Sequence, residues 1–248
     1  MRILPLKTGS IHCSRTVLTY GKGFDESIEI PALAWYVEQE GRKILIDTGM
    51  CSTERAQTYH YPGSIQGEGE RIDEVLRSKG IQPESIEVVI LTHLHWDHCA
   101  NLGRFREADI FVQQAEFEYA ANPLPPYYRS YESPRVGLKP SYDGLDLCFL
   151  EGDQEIVPGV QVLLTPGHSP GHQSVLIEGQ DSQYLIAGDA CLCYENLSPH
   201  KEKGLEFTMI GRYMDVNQAW RSLERIKSTG AVILPGHEIG VLAQEEYN

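Results

Sequence analysis

Val88-Val89-Ile90-Leu91-Thr92-His93-Leu94-His95-Trp96-Asp97-His98 passes from an apolar run directly into four potential metal ligands. The run Val88 to Leu91 is short, β-branched and continuously apolar, which reads as a buried strand. In extended backbone His93 and His95 project to the same side. Where the chain then turns into a helix, Asp97 and His98 come back toward the same point from a second direction. One ion could take the first pair and another the second. Neutral imidazole with carboxylate suits zinc, and equally manganese, iron or cobalt.

A solvated polar turn is the plainer reading of such a run, but the pattern recurs downstream. Leu163-Leu164-Thr165-Pro166-Gly167-His168, Leu185-Ile186-Ala187-Gly188-Asp189 and Val232-Ile233-Leu234-Pro235-Gly236-His237 each carry one ligand type after a glycine at a strand end. Glycine there lets backbone approach an ion closely.

Around these stretches the chain alternates strands with a few helices. Strand-like runs are 33–38, 43–47, 87–92, 109–113, 160–165, 174–178, 184–188 and 231–234, with hairpin turns at 39–42 and 179–182. Helical periodicity marks 70–79, stopped by Gly80, and 216–229, capped by Asp215 and closed by Gly230. Shorter helices are expected after Asp97 and Gln114. The pattern predicts an α/β fold, sheets covered by helices in layers. At 248 residues one core suffices, and a single domain over 1–248 is expected. Segments 9–31, 50–69 and 122–144 read as irregular, and loops of that length commonly line substrate pockets or dimer contacts.

Composition narrows the function. The formal net charge of −14 repels phosphate backbones, and Lys and Arg are scattered rather than clustered. Nucleic acid is therefore not an expected partner. No apolar run has signal-peptide or membrane-spanning length. Six cysteines without a secreted-type spacing fit a reducing compartment. A cytoplasmic chain with no membrane partner is the expectation. Cys191 and Cys193 read as half-buried thiols, and His12, His60 and His200 as surface histidines.

The ordered set Asp47-Thr48-Gly49, His93-x-His95-x-Asp97-His98, Gly167-His168, Gly188-Asp189 and Gly236-His237 resembles the metallo-β-lactamase superfamily over roughly residues 33–240. The resemblance implies a four-layer αββα sandwich of two mixed β-sheets flanked by helices, with two divalent metal ions at one edge. It implies that His93, His95 and His168 hold the first metal and Asp97, His98 and His237 the second, with Asp189 bridging. Asp47 and His172 would orient the ligands. Two ions about 3.5–4 Å apart share a water and lower its pKa toward neutrality. The resemblance implies that hydroxide so generated would attack the substrate and that Asp97 would relay a proton to the leaving group.

Within that superfamily, Ile44 to Met50, Phe111 to Glu116, Thr165 to Ser174 and Gly188 to Cys191 are most similar to the N-acyl-homoserine lactonase group. This implies a lactone or other carboxylic-ester substrate. His95 stands where flavo-diiron members carry Glu, and Asp189 is a bridge the zinc β-lactamases lack. A glyoxalase-II-like thioesterase is less favoured because no Lys or Arg follows His237. A phosphodiesterase is equally less favoured, and a non-catalytic metal-binding scaffold less still, because degenerate members usually lose ligands and all seven are kept here. The lactonases place a tyrosine where this chain has Leu192. Tyr194 is the candidate to supply the missing hydroxyl if its loop bulges; otherwise it is an ordinary packed tyrosine.

Overall fold

Alternation along the strand Arg42–Ile46 (β3) shows how the layers are built. Ile44 and Ile46 enter one apolar cluster, and Leu45 enters another on the opposite face. That is the two-residue period of a strand buried on both sides. Each such side chain contributes about 1.5–3 kcal/mol on leaving water.

The computed structural model describes residues 1–248. Six strands form the first sheet: β1 (Arg2–Ser14), β2 (Ser27–Gln39), β3, β4 (Val88–Ile90), β5 (Asp109–Gln113) and β6 (Cys148–Leu150), in that spatial order. β1, β2 and β3 pair antiparallel, and β3 to β6 parallel. The second sheet runs β11 (Val232–Pro235), β10 (Gln183–Gly188), β9 (Gln173–Glu178), β8 (Val160–Leu164), β7 (Gln154–Val157). There only β10 and β11 are parallel. Both sheets are mixed.

Trp35, Ile44, Ile46 and Ile90 of the first sheet meet Val160, Val175, Ile177 and Ile186 of the second in one shared cluster. The outer face of the first sheet packs on α2 (Ile72–Ser78) and α4 (Gln114–Ala121). The outer face of the second packs on α5 (Val216–Ser228) through Ala219, Leu223 and Ile226. The result is the expected αββα sandwich. Helix ends follow the sequence signals: Asp215 accepts from Asn217 N and Gln218 N, and Gly80 adopts φ +77° after α2.

Two of the three segments expected to be irregular contain regular structure. Residues 9–14 and 27–31 belong to β1 and β2. Their alternation is hidden because Thr8 and Ser10 are buried too, Thr8 Oγ1 donating to Ala32 O. Within 50–69 lies α1 (Thr53–Tyr59), N-capped by Ser52; it buries only Ala56 and so shows no apolar stripe. Segment 122–144 carries just two short 3-10 turns.

Candidate metal centre

The ligand-type side chains issue from strand ends at one edge of the two sheets. His93 and His95 follow β4, and α3 (Trp96–Cys99) carries Asp97 and His98 back over them. His168 follows β8, Asp189 follows β10 and His237 follows β11. The β10–β11 register shifts between Ile186 and Gly188, and Gly188 takes φ +53°. A Cβ at Gly188 would stand 2.7 Å from His172 Nε2, so only glycine lets the chain turn there and aim Asp189 inward.

Asp189 lies between two groups of imidazoles. Its Oδ2 is 3.2 Å from His168 Nε2 and 3.9 Å from His93 Nε2. Its Oδ1 is 3.2 Å from both His98 Nε2 and His237 Nε2. His168 Nε2 also lies 3.0 Å from His95 Nδ1. Asp97 Oδ2 stands 3.7 Å from His237 Nε2 and 3.8 Å from His98 Nε2. The structure thus brings together His93, His95 and His168 on one side and Asp97, His98 and His237 on the other.

Among the cluster's atoms, His93 Nε2, His98 Nε2 and Asp189 Oδ1 are buried with no hydrogen-bond partner, and His95 turns its Nδ1 toward His168 Nε2. Orphaned buried polar atoms are costly. A dinuclear metal centre satisfies them, and the donor set fits it.

Hydrogen bonds behind these side chains fix their orientation. Asp47, at φ +57°, accepts from Thr92 N and Thr92 Oγ1, each at 2.8 Å, and faces His98 Nδ1 at 2.7 Å. His237 Nδ1 donates to Pro31 O at 2.8 Å and His168 Nδ1 to Arg212 O at 2.9 Å. His172 is not in the cluster. Its Nε2 accepts from Asp189 N, and its Nδ1 faces Thr165. Burial and the neighbouring His168 hold His172 neutral, its pKa pulled down to about 3. Backing interactions of this kind set tautomer and aim.

Glu116 acts across a wider span. It is fully buried and accepts from Leu94 N, Tyr131 Oη, Ser169 Oγ and Gly171 N. One carboxylate therefore ties the His93–His98 turn to the His168 turn and to segment 122–144.

Burial, with mutual repulsion among the imidazoles, holds His93 and His95 well below the ordinary histidine pKa. Burial likewise lowers His168. Burial pulls on His98 as well, but the carboxylates of Asp189, Asp47 and Asp97 outweigh it and raise the pKa. His237 is raised in the same way, chiefly by Asp189. Burial opposes ionisation of Asp189, yet His98, His237 and His168 hold its pKa well below the usual carboxylate value.

A cavity of about 220 Å³ opens over the cluster. His95, Asp97, His168, Asp189 and His237 form its floor, and Ile11, Val17, Trp96 and Leu192 part of its wall. Segments 9–31, 50–69 and 122–144 all contribute lining residues. Tyr194 does not. It starts a 3-10 turn, its N–H bound to Glu238 at 3.0 Å and the residue 43% exposed, so the loop has no bulge that would carry its hydroxyl into the site, and it is not a packed tyrosine either.

Hydroxyl-bearing residues at the cavity are instead Tyr59, Tyr61 and Ser130, the last two hydrogen-bonded to Arg212. Tyr61 and Ser130 are loop residues with no periodic signal in the sequence. His60 and His200 are not surface residues. The His60 side chain is enclosed, stacked on Trp96 at 4.1 Å and facing Glu132 at 3.2 Å, and His200 is buried. Cys191 and Cys193 are buried free thiols rather than half-buried ones. No helix is long and apolar enough to cross a membrane.

Comparison with known proteins agrees with this geometry. Residues 28–237 match the family model described as the metallo-beta-lactamase superfamily. An N-acyl homoserine lactonase of Bacillus thuringiensis is 33% identical over 233 residues, covering 90% of this chain and 86% of the relative. A solved quorum-quenching N-acyl homoserine lactone lactonase superposes with a TM-score of 0.79 at 28% identity, covering 96% of this chain and 92% of its own. A solved N-acyl homoserine lactone hydrolase, with N-hexanoyl-L-homoserine at its catalytic metal centre, gives 0.80 at 28% identity, covering 97% and 94%. With a matched region that spans the whole ligand set, from His93 to His237, this chain belongs to the metallo-beta-lactamase superfamily as a metal-dependent hydrolase with a dinuclear centre.

Proposed function

We propose that this chain opens lactone rings, with N-acyl homoserine lactones among its substrates, at a centre holding two zinc ions. The observation that carries this reading is the Asp189 carboxylate, which presents one oxygen to each group of imidazoles. His93, His95 and His168 are the proposed ligands of one ion, and Asp97, His98 and His237 of the other. When bound, such ions supply Lewis acidity toward a carbonyl oxygen and lower the pKa of water. Kinship with lactonases at 33% identity supports a cyclic carboxylic ester as substrate.

The chain's own residues then have separable tasks. Asp189, backed by His172 at its N–H, holds the two groups at one distance. Asp97 is the only part-exposed member of the set and lines the cavity. It is therefore placed to pass a proton to the alkoxide that departs when the ring C–O bond breaks. Ile11, Val17, Trp96 and Leu192 limit access of bulk water. Free thiols at all six cysteines support a reducing compartment such as the cytoplasm.

The test is acid release by zinc-loaded protein from acyl-homoserine, γ- and δ-lactones, followed by titration. Turnover is expected for at least one class, with Asp97→Asn inactive yet folded. Absence of hydrolysis across the whole panel would overturn the reading.

A further inference from the structure

In this acidic chain, arginines that reach part-buried ground usually meet a carboxylate. Arg15 meets Glu195, Arg55 meets Glu132 and Arg225 meets Asp153. Arg212 is different. Its Nη1 donates to Tyr61 Oη at 3.2 Å and its Nη2 to Ser130 Oγ at 2.7 Å, both uncharged acceptors. A guanidinium has five N–H donors, so most of this fork has no partner in the protein.

Arg212 lines the cavity beside His95, Asp97 and His168. Its own carbonyl receives His168 Nδ1–H, which anchors its backbone directly behind a metal ligand. Tyr61 and Ser130 hold the two terminal nitrogens, so the fork is already ordered. Its charge contributes to lowering His95 and His168, which places it electrically next to the cluster. A second guanidinium, Arg129, stands exposed among the lining residues. Holding a partly desolvated cation beside a cationic metal centre is costly unless an anion comes to it.

Size points the same way. At about 220 Å³ the cavity falls below the ~300–1,000 Å³ common for small-molecule sites. A compact substrate gains little from long apolar contact, so charge-assisted hydrogen bonds become its main source of affinity.

We propose that Arg212, held by Tyr61 and Ser130, receives a carboxylate on the non-reacting part of the substrate, so that the preferred substrates are compact lactones or esters bearing a free carboxylate. This rests on the lactone-hydrolase reading above and specifies its substrate class. A planar guanidinium suits such a group because it can meet both oxygens. Neutral N-acyl homoserine lactones lack that charge and are turned over less efficiently.

The experiment compares a γ-butyrolactone carrying a ring carboxylate with its methylamide, in wild type, Arg212→Gln and Arg212→Lys, with metal content and melting checked for each. Wild type is expected to favour the carboxylate by about 30-fold in kcat/KM, and Arg212→Gln by about 3-fold or less. Arg212→Lys should fall between, since a point charge replaces a fork. A wild-type ratio near one overturns the proposal, and so does a ratio that survives in Arg212→Gln. Binding of the product carboxylate alone predicts that first outcome.

If neither of these two lactones is opened, the full lactone panel above decides the hydrolase reading, and calorimetry with glutarate on the metal-loaded protein decides the carboxylate subsite. Affinity about 10-fold weaker in Arg212→Gln supports the carboxylate subsite, and equal affinity overturns it.

Discussion

Asp47 Oδ2 lies 2.7 Å from His98 Nδ1, across a separation of 51 residues in sequence. Asp47 sits at φ +57°, a left-handed conformation few non-glycine residues adopt, and two hydrogen bonds from Thr92 fasten its carboxylate. The contact leaves His98 Nε2 as the nitrogen that faces Asp189.

Asp47→Asn should therefore weaken metal binding at the His98 side by about 10–100-fold, with the His93 side less affected. Competitive chelator titration, resolving two binding steps, checks this. Two unchanged steps would show that Asp47 is only a turn carboxylate.

The cluster also predicts a pH signature. His93 and His95 are held below the ordinary value, so below about pH 6.5 the unfolded chain takes up more protons and stability falls with acidification. His98 and His237 are held above it. Their contribution is complete below about pH 6.5 and is lost as pH rises through their folded values. Asp189, with its lowered pKa, contributes above about pH 4 and loses that only in stronger acid. The cluster's contribution to the metal-free protein thus peaks near pH 6.5, between the two opposing trends. Bound ions replace the protons on His98 and His237 and should move that maximum upward. Thermal melting from about pH 5 to about pH 9, with and without chelator, reads the shift directly. Superimposable profiles would contradict it.

Glu116→Gln should cost about 3 kcal/mol, because an amide nitrogen would face the donors on Ser169 and Gly171 in a fully buried site. Gly171→Ala tests the same junction sterically. Its Cβ would stand 2.2 Å from Glu116 N, which is backbone and cannot step aside, at a cost of about 1–3 kcal/mol. Denaturant unfolding measures both. A change within about 0.5 kcal/mol, typical of surface positions, would remove Glu116 from this role.

Tyr194→Phe should leave kcat/KM within about twofold, as for a surface substitution away from the site. Steady-state kinetics on whichever lactone is opened decides. A tenfold loss would mean that the 3-10 turn rearranges to bring the hydroxyl inward.

Much of the fold was legible because its signals are local. Ile44, Leu45 and Ile46 display their layering in three consecutive residues, and Asp215 with Gly230 marks both ends of α5. β1 escaped because a strand buried on both faces with polar residues among its members has no alternation to read. α1 escaped because a helix burying one alanine has no stripe.

The same distinction divides the site. His93, His95, His168, Asp189 and His237 stand just beyond strand ends, and Asp97 and His98 follow on the short helix α3, so local sequence marks the residues proposed as metal ligands. Tertiary structure alone decided what surrounds them. Arg212 meets Tyr61 across 151 residues and Ser130 across 82, and Tyr194 turns away while Leu192 faces the cavity. Strand periodicity is set by neighbouring backbone geometry and survives in one dimension. Cavity lining depends on how loops from distant segments pack over the sheet edge, and no short-range pattern encodes it.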